Sequence, residues 1–112
     1  MRQRDIILLP FPFSDLTGEK VRPALIISND EFNSGEDIVV CAITTNTSRA
    51  KYRINISSRN LKRGTLHSAS AIRAESIVKI KKTLAIKTIA AIDEATHESV
   101  QQALRTLFSR SI

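Results

Sequence analysis

The chain has 112 residues, one cysteine and no tryptophan, and its 17 Lys and Arg against 11 Asp and Glu give a formal net charge of +6. That length supports one domain, 1–112, with a modest core that needs no disulfide staple. The lone Cys41 excludes an internal disulfide or a cysteine metal cluster, and no stretch approaches the ~18 apolar residues of a membrane span, so the expected setting is cytoplasmic with no membrane partner.

Charge is spread along the chain rather than gathered in a tail, and its basic balance favours a polyanionic partner. Residues 6–11 and 24–28 read as the first two strands, joined by a polar segment with Gly18 at the bend. Residues 29–36 read as a loop. Residues 38–44 are almost continuously apolar, which predicts a central strand buried on both faces. Residues 45–51 are polar, and 52–56 alternate as a half-buried strand does. Residues 59–64 read as a basic turn, and 70–74 and 77–80 as two short strands, with Lys79, Lys81 and Lys82 marking an edge. Residues 84–92 fit a strand or a helix. After Asp93, a plausible N-cap, Val100, Leu104, Leu107 and Phe108 recur at helical spacing. Many short strands and one late helix predict a mainly β fold with a C-terminal helix, as a compact barrel or twisted sheet.

The stretch PFPFSDLTGEKVRPALIIS, residues 10–28, organises the chain. Pro23 fixes its own φ and pushes Arg22 toward an extended conformation where the loop re-enters the sheet. This block, with DIVVCAITT at 37–45 and the C-terminal helix, resembles the PemK/MazF family of toxins from toxin–antitoxin pairs over nearly the whole chain. The resemblance implies a small SH3-like barrel of the PemK/CcdB type and makes 86–92 a strand. One departure stands out: Arg4 occupies the position before the first strand's acidic residue where the family has glycine. The expected consequence is a changed start to that strand and an intact site.

The resemblance also implies a function: a metal-independent, sequence-selective endoribonuclease that cleaves single-stranded RNA. It implies a homodimer neutralised by a cognate antitoxin. Arg22 and Thr44 match the family's catalytic arginine and threonine. From spacing alone, Arg22 reads as a structural loop residue and Thr44 as an ordinary strand end; the resemblance reverses that. An arginine suits charge building on a phosphorane, and a threonine hydroxyl can hold a phosphate oxygen or the 2′-OH in line. Phe13, Thr17, Lys20, Thr45, Asn46, Arg49 and Arg73 are candidate RNA contacts, with Lys51 and Arg53 as further phosphate candidates. His67 and His97 read as two separate surface histidines. The acidic loop Asp30, Glu31, Glu36 and Asp37 lacks ligand spacing, and no cofactor or metal is expected. The alternative is a non-enzymatic, CcdB-like inhibitor of DNA gyrase, which has no need of Arg22 and Thr44.

Overall fold

The computed structural model describes residues 1–12 and 19–111. Seven strands form one curled antiparallel sheet: β1 (Asp5–Pro12), β2 (Glu19–Ile26), β3 (Asp37–Thr44), β4 (Arg53–Ile56), β5 (Leu61–Gly64), β6 (Ser70–Lys81) and β7 (Lys87–Ile92). Their spatial order is β4-β6-β3-β2-β1-β7-β5. A one-turn helix, α1 (Asp30–Asn33), follows β2, and α2 (Glu94–Leu107) closes the chain. The mainly β class with a C-terminal helix is therefore the observed one.

The apolar run of β3 is buried from both sides. Ile38 and Val40 join Ile7, Leu9, Ala24 and Ile26 in a core on one face. Cys41 and Ile43 join Ile6, Leu25, Ile72 and Ile92 on the other, where Val100 of α2 completes the core. Successive side chains of a strand point to opposite faces, so a continuous apolar run is what two buried faces require. Burial, with the Glu75 charge adding to it, pushes the Cys41 thiol up to about 12. It stays protonated and packs as a small apolar group. Asp93 caps α2 by accepting from Thr96 N at 2.8 Å. Those hydrogen bonds to Thr96 hold its carboxyl below the usual range. Val100 is fully buried, Leu104 packs partly against the core and Phe108 is 73% exposed, so the apolar stripe ends a turn early.

Four readings change. Residues 59–64 are not a turn, because Leu61–Gly64 is an edge strand paired with β7. Gly64 has φ +84°, and a Cβ there would meet Ile89 O at 2.3 Å; the glycine lets the strand press on β7. The stretches 70–74 and 77–80 are one strand whose register against β3 shifts between Cys41 and Ile43. β4 covers only its Ser70–Arg73 half, so among the described residues the Lys79 and Lys81 half is a free edge, as those lysines suggest. The 29–36 loop contains α1, capped by Asn29 accepting from Phe32 N. Arg22 lies within β2, opposite Leu9, rather than at a loop end. Arg4 itself takes φ 82°, a left-handed conformation that favours glycine. Its backbone is fixed by Arg4 N donating to Ile26 O and Ile92 N donating to Arg4 O, both at 3.0 Å.

Candidate active site

Pro23 decides where the sheet opens. β2 pairs with β1 along its length, with Pro23 opposite Leu8. On its other edge its ladder with β3 ends at Ala24 opposite Ala42. Proline has no N–H to continue that ladder. β3 runs on through Ile43 and Thr44, paired there with Ile72 and Ala71 of β6. Carrying the β2–β3 register past its end sets Arg22 level with Thr44. Strand alternation puts both on one face, Arg22 in line with Ala24 and Ile26 and Thr44 in line with Ile38 and Val40. Both are half-buried, and the Arg22 Nε is shut off from solvent. Arg22 and Thr44 thus share one face of the sheet where the β2–β3 ladder ends.

The loop after Thr44 is folded on itself. Thr44 Oγ1 accepts from Asn46 N at 3.1 Å. Asn46 Oδ1 accepts from Ser48 N at 3.0 Å and Ser48 Oγ at 2.7 Å. From β4, Arg53 Nη1 donates to the carbonyls of Asn46 at 3.3 Å and Ser48 at 3.1 Å. Asn55 Nδ2 donates to Thr47 O at 3.1 Å. Arg53, read from sequence as a further phosphate candidate, engages this loop through its Nη1. Thr45, Asn46 and Arg49 are exposed on it. Arg49 and Lys51 line an open cavity of about 440 Å³ with Arg53 and Asn55.

Across the sheet, Arg73 of β6 stands opposite Arg53 of β4. Like charges so placed repel. Here each guanidinium is answered separately, Arg53 by the loop carbonyls and Arg73 by Glu75, whose carboxylate lies 3.0 Å from its Nη2. Both members of that ion pair sit in the irregular part of β6, beside Ala42 and two residues from Thr44. Irregular strands at such places re-aim side chains. Glu75 is a site candidate that sequence reading missed. The only signal was a carboxylate inside the apolar 70–80 stretch.

The remaining candidates are scattered. Lys20 is exposed opposite Phe11. Phe13 and Thr17 lie outside the described residues. His67 is exposed and lines a cavity of about 520 Å³ with Leu8, Pro23, Thr45 and Lys87, on the sheet face opposite to Arg22. His97 is half-buried: burial, then the Arg4 charge, holds its imidazole below the usual value. Among the described residues, no group of three or more His, Cys, Asp or Glu is placed to hold a metal ion. None of their helices is long and apolar enough to cross a membrane.

Residues 2–108 match the family of PemK-like, MazF-like toxins of type II toxin–antitoxin systems, and the chain belongs to that family. Among curated protein sequences, none matches it. Solved structures share its fold at low identity. An endoribonuclease in complex with its cognate antitoxin from a mycobacterial species is 18% identical, with a TM-score of 0.78 over 100% of this chain and 98% of that one. A MazE–MazF complex from Deinococcus radiodurans is 16% identical, with a TM-score of 0.78 over 99% and 98%. The Mycobacterium tuberculosis toxin MazF-mt6 is 15% identical, with a TM-score of 0.72 over 95% and 99%.

Proposed function

We propose that this chain is the toxin of a toxin–antitoxin pair and cleaves single-stranded RNA at selected sequences without a metal ion. The observation that carries the reading is Arg22 level with Thr44 on one face, where Pro23 ends the β2–β3 ladder. Attack by the 2′-OH on its own phosphate builds negative charge on the phosphorane and the leaving oxygen. The Arg22 guanidinium answers that charge with a planar pair of donors. Thr44 holds a phosphate oxygen or the 2′-OH in line. An arginine, always protonated, is a poor base. A carboxylate is the better acceptor of the 2′-OH proton; among the described residues Glu75, paired with Arg73 in the part of β6 that passes the end of β3, is the proposed one. The leaving oxygen then takes its proton from water while the Arg22 guanidinium stays charged.

Single-stranded substrate follows from the need to splay bases for readout. Thr45, Asn46 and Arg49 face solvent on a clamped loop and supply that readout together with phosphate contacts. Lys20 and Arg73 add charge, and Phe13 and Thr17 of the β1–β2 connection complete the proposed contact set. The toxin acts in the cytoplasm as a homodimer. Val78, Leu84 and Ile86, all about half-exposed, lie on and after the free edge of β6 and offer a second copy apolar surface. An acidic antitoxin segment is drawn to the +6 chain.

The test is cleavage of labelled single-stranded and duplex RNA in excess EDTA. The single strand is cut at a recurring sequence and the duplex is left intact. Activity lost with chelator and restored by magnesium overturns the metal-independent scheme. Gyrase inhibition without RNA cleavage selects the CcdB-like alternative.

A further inference from the structure

The geometry points to a second anion site, for a phosphate-class ligand, in the cavity between the chain's first residues and edge strand β5. The cavity measures about 210 Å³ and is lined by Arg2, Arg4, Asp5, Asp30, Lys62 and Arg63, with β7 behind them. Four cations therefore surround two carboxylates, and both carboxylates are engaged. Asp5, which is buried, accepts from Arg63 Nη2 at 2.9 Å and from Arg2 N at 2.9 Å. Asp30 accepts from Gln3 N at 2.8 Å and lies 3.7 Å from Arg2 Nε. Arg4 and Lys62 have no ion-pair partner among the described residues, which leaves the cavity with an excess of positive charge.

Arg4 also holds a backbone conformation, φ 82°, that a residue with a Cβ rarely takes. Its main chain is tied to β2 and β7, so the conformation is imposed by the fold. Arginine at a position suited to glycine calls for a use of its side chain. A guanidinium with parallel donors and a neighbouring ammonium match the oxygens of a phosphate. The cavity is separate from the Arg22 site: β1 carries the chain from Arg4 to Leu9, the partner of Arg22, a span of about 17 Å at ~3.4 Å per residue. The ligand is a phosphate of bound RNA or a free phosphate. The site itself does not rest on the ribonuclease reading; only its RNA source does.

Arg4→Gly separates ligand binding from folding, because glycine suits φ 82° and the variant melts no lower than wild type in chloride. At constant ionic strength, inorganic phosphate at about ten times its Kd raises the wild-type Tm by roughly 5 °C. The rise persists in Arg22→Ala and disappears in Arg4→Gly; Lys62→Gln reduces it. Phosphate also raises the His97 pKa in wild type, followed by NMR, because the bound anion offsets the Arg4 charge that depresses it. A rise that vanishes in Arg22→Ala and survives in Arg4→Gly overturns the proposal, as does no response to phosphate in any variant. So does a response to an acidic peptide but not to phosphate. The salt dependence of RNA binding then names the source: loss of one RNA phosphate contact lowers the slope of log K against log salt by ~0.7 in Arg4→Gly, and an unchanged slope assigns the site to free phosphate. Arg4→Gly cleaves short RNA at the wild-type rate in either case, so failure here leaves the ribonuclease reading standing.

Discussion

β3 belongs to two different regions along its eight residues. From Ile38 to Ile43 it is packed on both faces, and nearly every side chain is fixed by apolar neighbours. At Thr44 the ladder to β2 has already ended, and the chain passes into a loop held by side-chain hydrogen bonds. The first region is set by many interchangeable contacts, each worth little. The second is set by a few directional ones. Substitutions in the first should cost stability and leave catalysis to follow the fold; substitutions in the second should cost rate and leave the fold alone.

The largest effect expected is on the core. Val100→Asp places a carboxylate among Ile6, Leu25, Ile72 and Ile92, where nothing pairs with it. The cost exceeds ~3 kcal/mol, a large share of a small domain's stability. Leu104→Asp, only partly buried, costs less. Cys41 reports the outcome: its thiol, held at about 12, ignores a thiol reagent at pH 8 in wild type and reacts in unfolded Val100→Asp. An unchanged melting temperature with an unreactive thiol would show that this face is not core.

Next comes the open end. Arg22→Ala removes the charge proposed to answer the phosphorane and should cost on the order of 100-fold to 1,000-fold in single-turnover cleavage. Arg22→Lys keeps a charge but not the planar fork, so it restores little. Because Arg22 is a strand residue with a buried stem, thermal melts accompany each rate. Wild-type cleavage by folded Arg22→Ala would erase the distinction between the two regions. Thr44→Val should cost about tenfold, the worth of one neutral hydrogen bond made at the reacting group. Thr44→Ser restores the hydroxyl and with it most of the rate. If Ser fails where Val fails, the methyl packing of Thr44 matters and its hydroxyl does not.

The two regions also differ in how far the sequence discloses them. A continuous apolar run marks β3, and helical spacing after a capping aspartate marks α2, because burial writes a period into composition. The N-terminal block marks Arg22 and Pro23, and Pro23 explains where the ladder ends. β5 was hidden, since four residues carry too little alternation and Gly64 reads as a turn when it serves close packing. The irregularity that joins two apparent strands into β6 was hidden too, because it depends on β3 as partner. With it went Glu75, and the answer to which arginines are free. Arg53 and Arg73 look alike in sequence, and only the fold shows one turned to carbonyls and the other to a carboxylate.

That last difference gives the smallest and most discriminating prediction. Arg53 bridges two carbonyls of the loop that begins at Thr44, and its Nε is buried with no hydrogen-bond partner among the described residues. Those contacts make a positioning role the expectation to test. Arg53→Met should loosen the loop and lower single-turnover cleavage by roughly threefold to tenfold, the worth of about one hydrogen bond. RNA affinity and its salt dependence should stay near wild type, since no phosphate contact is lost. Arg53→Lys reaches one carbonyl at most and should recover part of the rate. The cutting motif should blur in Arg53→Met, because Thr45 and Asn46 no longer hold one arrangement. A phosphate-binding Arg53 would behave in the opposite way: weaker binding, an unchanged rate at saturation, and a salt slope lower by ~0.7. Measuring rate, affinity and salt slope on the same RNA decides between a side chain that shapes the site and one that holds its substrate.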